Sequence, residues 1–334
     1  MKLDKIIISR TDSIGDVMLT LPMCVWLKEN FPNTQLIYLG KKYTGPVINS
    51  FSVIDQFIDW SEIEASPSSQ RHEYLRELEA DAIIHVFPNK EIAGLAKKAR
   101  IPQRIGTSHR SFHLLTCNYR LNFSRKNSNL HEAQLNFELL KPFGCKTIPS
   151  MEEINQAVSF FKVNKSVTLP EELESYLSYA SKKIILHSRS QGSAVEWSIE
   201  KYGELALELS SSGYTVFYTG TEQEGKGIRP FIPVNEKIID LTGKLDLEQL
   251  ILFISKVDAL VACSTGPLHI SGVTGIRAIG LFSPRRPIHP GRWMPIGPNT
   301  CILVHDEDCP DCKKKKQCDC ISQISVEKVL AEIG

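Results

Sequence analysis

The sequence predicts an α/β protein built from two doubly wound parallel sheets, each covered by helices on both faces. Three observations predict it. Apolar runs of strand length alternate with segments of helical period in both halves of the chain, as βαβ units require. Across residues 144–180 this rhythm is lost in a polar piece with Pro149 and Pro170, and it then restarts, as it would across a linker. The length of 334 residues also suits two domains better than one. The boundary is placed at 168/169, giving domains 1–168 and 169–334.

In the first half the expected strands are 5–9, 35–39 (QLIYL), 82–87 (AIIHVF) and a short 104–106. Helices are expected at 17–30, 71–79, 90–99 and 131–143. The first should turn Val17, Leu21, Val25 and Trp26 inward, and the last places Ala133, Phe137 and Leu140 on one face. In the second half KKIILHS (182–188) is a strand, followed by helix 199–211 and strands 214–220 and 238–240. Helix 246–256, strand 259–263, helix 267–274 and strand 277–282 complete it. No repeat of solenoid length is present.

Composition narrows the class. Hydrophobic residues make up 42% and charged residues 23%, ordinary values for a globular protein. A net charge of +1 implies no polyelectrolyte partner such as nucleic acid. No apolar run approaches the ~20 residues of a membrane helix. The start, MKLDKIIIS, lacks the apolar core and cleavage site of a signal peptide, so a cytoplasmic protein is expected. Of nine cysteines, Cys24, Cys117, Cys145, Cys263 and Cys301 lie in apolar contexts that suit reduced, buried thiols.

Residues 9–22, SRTDSIGDVMLTLP, follow the apolar run KIII. The turn therefore lies at the carboxyl end of a strand, where open α/β sheets bind ligands. Asp12 or Ser13 could cap the following helix, which leaves Asp16 either a second cap and dipole partner or a functional carboxylate.

Acids are absent from two long stretches, 92–131 and 259–305. The first holds Lys97, Lys98, Arg100, Arg104, Arg110, Arg120, Arg125 and Lys126 with His109 and His113. The second holds Arg277, Arg285, Arg286 and Arg292 with His269 and His289. Such stretches are either solvated faces or anion sites. The second has a mechanism for anions: in ALVACSTGPLHISG a strand ends at Cys263 and STG turns into a helix with Pro267 at its first position. Gly266, Leu268 and His269 then offer N–H groups at the positive end of the helix. Neither a Walker loop nor the spaced-glycine dinucleotide fingerprint is present.

Three stretches occur in order: SRTDSIGDVMLTLP, CSTGPLHISGVTG and LFSPRRPIHPGRWMPIGP. With HEAQLNFELL and the closing cysteines before ISVEKVLAEI, they resemble glycosyltransferase family 9, the lipopolysaccharide heptosyltransferases. The resemblance spans nearly the whole chain. It implies a GT-B fold, two Rossmann-like domains facing across a cleft, with acceptor on the first and sugar nucleotide on the second. It also implies inverting transfer, typically from ADP-heptose to a lipopolysaccharide core. The family's base falls on Asp16, and its pyrophosphate loop on Thr265, Gly266, Leu268 and His269. An acid near the ribose falls on Glu224, with Glu222 as the other choice, and a polar residue near the diphosphate on Ser188 or Ser190. Two positions depart from the pattern. Val195 and Glu196 stand where the family often has a Lys before the Trp, and Ser264 where heptosyltransferases have an Asp facing the donor sugar. Heptose is therefore not the expected preferred donor.

An inverting transfer needs a base within hydrogen-bond reach of the acceptor hydroxyl, the role given to Asp16. The departing diphosphate gains charge, which fixed N–H groups and cations stabilise without a metal. Arg285, Arg286 and Arg292 are candidates to replace the missing lysine, although Arg292 in GRW could instead stack or brace. Arg104, Arg110 and Arg120 are the expected acceptor contacts, for an anionic glycolipid. The triplet Asp306, Glu307 and Asp308 resembles a metal-binding DxD but abuts Cys309, and is read as surface loop with no catalytic metal. CPDCKKKKQCDC places Cys309, Cys312, Cys318 and Cys320 at CxxC and CxC spacing, which could hold structural zinc, form disulfides or stay free. The lysine run is a solvated face or a contact to anionic membrane, where each Lys adds about 1 kcal/mol. The function expected is thus a membrane-peripheral glycosyltransferase of lipopolysaccharide or another surface glycan. The other reading is a catalytically inactive sugar-nucleotide-binding or scaffold protein.

Overall fold

A computed structural model describes residues 3–125, 128–192, 194–314 and 318–334. Lys126, Lys315 and Lys316 of the basic runs lie outside them. The chain forms two compact units, residues 1–162 and 163–334. Each contains one six-stranded parallel sheet.

The first sheet runs β3 (Gln56–Asp59), β2 (Gln35–Gly40), β1 (Lys5–Ser9), β4 (Ala82–His85), β5 (Gln103–Thr107), β6 (Tyr119–Leu121). The second runs β12 (Thr300–Leu303), β11 (Arg277–Leu281), β10 (Ala259–Cys263), β7 (Lys183–His187), β8 (Thr215–Tyr218), β9 (Ile238–Asp240). Counted within its own unit, each sheet has the strand order 3-2-1-4-5-6 of a dinucleotide-binding fold. Central strands are apolar throughout because helices cover both faces. Ile6, Ile7 and Ile8 of β1, and Leu260 and Val261 of β10, are fully buried.

The strands missed by sequence are β3, β6 and β12, all at or near sheet edges. They are three or four residues long and mostly part-exposed, so no continuous apolar run marks them. The expected helix 17–30 is two helices, Ile14–Met18 and Leu21–Asn30, with Pro22 opening the second. The break frees the Leu19 carbonyl, which accepts from Asn136 Nδ2 at 2.9 Å. Trp26 is only half-buried and meets Phe31 edge-on. The expected linker is ordered. Its helix Met151–Gln156 carries a Ser150–Glu153 capping box, and Phe161 packs on Phe51 of the first unit.

In the second unit the helix Gly266–Thr274 sits directly behind β10 and β11. A methyl at Gly272 would overlap the Ile296 carbonyl oxygen and press Pro295 Cβ at 3.0 Å. That close approach is backbone against backbone, so the neighbour cannot rotate away. Gly272→Ala is therefore expected to destabilise the second unit by about 1–3 kcal/mol, the range for overpacking. Urea unfolding of variant and wild type measures it; an unchanged midpoint would show that this contact relaxes freely.

Candidate active site

Arg10 follows β1 directly, at the carboxyl end of the sheet where β1 and β4 part. Its side chain is 2% exposed. Such a guanidinium needs acceptors on every face. Nε donates to Asp12 Oδ1 at 2.9 Å and Nη2 to Asp12 Oδ2 at 3.2 Å. Nη2 also reaches Asp16 Oδ1 and, at 3.4 Å, Glu132 Oε1, and Nη1 donates to Asn136 Oδ1 at 3.3 Å. Glu132 is itself 1% exposed and pairs with Arg125, whose Nη2 donates to the Val86 carbonyl behind β4. Two guanidiniums and three carboxylates thus fill the crevice at the switch point of the first sheet.

This network places Asp16 and removes Asp12 from the role of cap. Ser13 occupies the N-cap position, yet its hydroxyl donates to Asp16 rather than to the helix backbone. Asp12 turns to Arg10, and its carbonyl accepts from Tyr43. The two carboxyls are pushed apart. Burial, with the charge of Asp16, outweighs the pull of Arg10 and raises Asp12 to about 6. At Asp16 burial also pushes up, but Arg10 and the Ser13 hydrogen bond, with Asp12, overcome it and hold the group below its usual range. Asp16 is therefore an ionised acceptor at neutral pH, partly open at 18% exposure.

The three arginines expected to contact an acceptor do not share one fate. Arg104 is spent on its own unit, donating from Nε to the Thr116 carbonyl at 2.7 Å and from Nη1 to that of Ile101. Arg120 is exposed and donates to the Cys117 carbonyl at 3.1 Å. Arg110 is exposed at the start of helix Ser111–Thr116, which turns Leu114 and Leu115 to solvent.

In the second unit the switch point lies between β7 and β10, where Ala262 pairs with His187. Ser188 follows β7, and Ser264 and Thr265 follow β10. Ser188 and Thr265 are 3% and 6% exposed, and the hydroxyl of each lacks a hydrogen-bond partner among the described residues. Thr265 holds the N-cap position of helix Gly266–Thr274 without capping it. The first-turn N–H groups of Gly266 and Leu268 have no intrahelical acceptor. That of His269 donates to the Thr265 carbonyl at 3.3 Å, so it leaves the set of expected anion donors.

Residues 70–321 match the family model of glycosyltransferase family 9 (heptosyltransferase). The chain belongs to this family. A Haemophilus influenzae protein provisionally named a glycosyltransferase is 29% identical over 340 residues, 99% of this chain and 96% of its own. The crystal structure of a family 9 glycosyl transferase from Veillonella parvula superposes with a TM-score of 0.80 at 21% identity, covering 99% of this chain and 97% of that one. The ADP-heptose lipopolysaccharide heptosyltransferase II of E. coli does so at 0.75 and 17%, with the same coverage. These likenesses show the GT-B fold.

Where this family 9 chain departs from the expected lysine, Glu196 is in use. It accepts from Ser190 N at 2.7 Å, Ser190 Oγ at 2.8 Å and Arg189 Nη1 at 2.9 Å. Burial pushes its carboxyl up, and these hydrogen bonds overcome that and keep it ionised. Arg189, missed by sequence, is thereby fixed on the loop behind β7. Glu222 is clamped by Arg229, while Glu224 Oε2 accepts from Thr221 N and Oγ1 in a capping box. Arg292 lies over the Trp293 ring at 4.7 Å, and Arg285 is half-buried on the loop behind β11. Asp308 is 90% exposed and pairs with Lys313, as a surface loop would. No disulfide joins the four clustered cysteines in the structure. No helix of the described residues is long and apolar enough to cross a membrane.

The Arg10 cluster has a pH signature. A carboxyl raised from about 4 to about 6 on folding contributes stability that is full below pH ~4 and lost as pH rises through ~6, in all about 3 kcal/mol. Asp12→Asn removes this titration. Whatever the pH-independent cost of losing the Arg10 contact, the stability of the variant relative to wild type should rise by that amount between pH 4 and 7, read from urea unfolding at a series of pH values. A difference independent of pH would assign the titration elsewhere.

Proposed function

We propose that this chain is an inverting, metal-independent glycosyltransferase that moves a sugar from a nucleoside-diphosphate sugar to a surface-glycan acceptor of the lipopolysaccharide kind. The observation that carries this reading is the pair of buried, unpaired hydroxyls on Ser188 and Thr265, at the ends of paired strands and beside a helix N-terminus. Unpaired buried hydroxyls are unfavourable by about 1–3 kcal/mol each, and diphosphate oxygens would satisfy them. The E. coli neighbour's ADP-heptose supports the donor class. In this reading the second domain, 169–334, takes the donor: Ser188, Thr265, Gly266 and Leu268 meet the diphosphate, Glu224 the ribose and Ser264 the sugar. Arg189, Arg285 and Arg286 supply positive charge as the diphosphate departs. His269 and Arg292 shape the loop.

The first domain, 1–168, takes the acceptor. Asp16 accepts the proton of the attacking hydroxyl as the new glycosidic bond forms, and Arg10 positions it. Arg110 and Arg120 flank the exposed Leu114 and Leu115, a mixed surface that suits an anionic glycolipid and peripheral contact with a membrane. Arg104 acts as a brace.

The test is a panel of sugar nucleotides read by thermal shift, followed by transfer assays with the donors that stabilise. Asp16→Asn should bind the donor unchanged and lose transfer by about two to four orders of magnitude. Turnover near wild type would remove Asp16 from the mechanism, and donor binding without turnover in the wild type would favour the inactive scaffold.

Donor choice has its own test. A carboxylate at position 264 would accept two sugar hydroxyls with charge-assisted bonds, and a serine makes fewer and weaker ones. Wild type should prefer a donor other than ADP-heptose. Ser264→Asp should shift preference toward heptose by about 1.5–3 kcal/mol, measured as the ratio of kcat/KM values. A strong heptose preference in the wild type would defeat the argument from Ser264.

A further inference from the structure

The segment between β12 and the helix Val326–Ile333 has an unusual interior. From 305 to 320 the described residues are exposed or part-exposed, except Cys309, Cys312 and Cys320. Among the described residues, those three and the partly buried Cys318 form an apolar cluster with no other member. Four thiols bury too little surface to order so polar a stretch, and small units short of a core are held by metal or disulfides.

All four Sγ atoms lie within 4.8 Å of one another. Cys318 Sγ is 3.4 Å from Cys309 Sγ and 3.1 Å from Cys320 Sγ, so it has two close partners rather than one. That suits a shared centre and not a pairwise bond. A tetrahedron built on Zn–S bonds of ~2.3 Å has an edge of about 3.8 Å, in the middle of this range. Backbone N–H groups already point at the sulfurs: those of Cys312 and Asp311 at Cys309, and that of Cys320 at Cys318. Such donors stabilise thiolates and orient them.

We propose that Cys309, Cys312, Cys318 and Cys320 bind one zinc or iron ion as thiolates in a closed tetrahedral site, and that this ion holds the loop behind β11 in place. Each thiol gives its proton to solvent on binding. Four thiolates and a divalent ion leave a charge of 2−, and the sequence puts lysines at 313–316 between the ligand pairs. A closed set of four sulfurs leaves no open position, so the ion is structural. Its reach is through Cys312, whose Sγ meets Ser283 Oγ at 3.5 Å, and Ser283 Oγ in turn accepts from Arg285 N. Beyond this contact lies an open pocket of about 520 Å³. Arg286 and His289 line it from the loop behind β11, and Asp308 and Lys313 from the cysteine segment. The ion thereby sets one wall of a charged pocket without touching its ligand.

The experiment measures metal in the purified full chain by elemental analysis. One ion per chain is expected, and the element found separates zinc from iron. Replacement by cobalt should give the intense visible bands of a tetrahedral thiolate site. Cys312→Ser should lose the ion, whereas Cys301→Ser, outside the cluster, should keep it. Should Cys312→Ser fail to fold, mercurial titration of wild type replaces it, with four thiols modified per ion released. Metal-stripped protein should be cut by proteases between 305 and 320 faster than the loaded form. Four freely reacting thiols with no bound metal, or disulfides among the four, would overturn the proposal, as would a pattern of cleavage indifferent to metal.

Discussion

Both candidate sites of this chain depend on one constraint of parallel sheets, the place where the strand order reverses. In both sheets the first and fourth strands of the unit are neighbours, and the chain leaves them toward opposite faces. The loops diverge there, so strand-end polar groups have no roof of their own. The two units meet this constraint in different ways. The first fills its crevice with Arg10, Arg125 and three carboxylates, leaving Asp16 as the partly open acid. The second leaves hydroxyls of Ser188 and Thr265 without a partner among the described residues. The first crevice is closed by charged groups that pair with one another, and the second keeps these two buried hydroxyls without such a partner.

What the sequence made legible follows from range. Central strands are written locally, as apolar runs, and β1, β7, β10 and β11 were readable from five or six residues each. Edge strands such as β3 and β6 depend on a neighbour for their hydrogen bonds and carry no such run. Asp16 stands out as a candidate because a motif surrounds it. Arg10 was not, because its meaning lies in Glu132 and Asn136, more than a hundred residues away. The one local hint was a cation directly after a run of isoleucines, where a buried charge would have to find partners. The order within 144–162 was not legible for the same reason: apolar contacts there, such as Phe161 on Phe51, are tertiary.

Charge placement separates this chain from the simplest reading of its family pattern. At the position of the expected lysine stands Glu196, whose sign taken alone would oppose an anion there. The structure spends that carboxylate on Arg189 and the Ser190 amide, so a cation is fixed on the same loop by way of the acid. Substituting one residue type thus does not report the local charge. What counts is the sign left over after neighbours have paired, and here Glu196 is neutralised where it stands.

Arg10 has a consequence for descent. It is hydrogen-bonded to carboxylates at positions 12, 16 and 132, and a guanidinium cannot shed its proton to survive the loss of a partner. Changing Arg10 alone strands buried negative charge, and changing a carboxylate alone strands positive charge, each unfavourable by several kcal/mol. Single-step routes away from this arrangement are therefore closed. Among descendants of one ancestor these four positions should drift together or stay fixed, so their epistasis would appear as covariation between sites 122 residues apart in the chain.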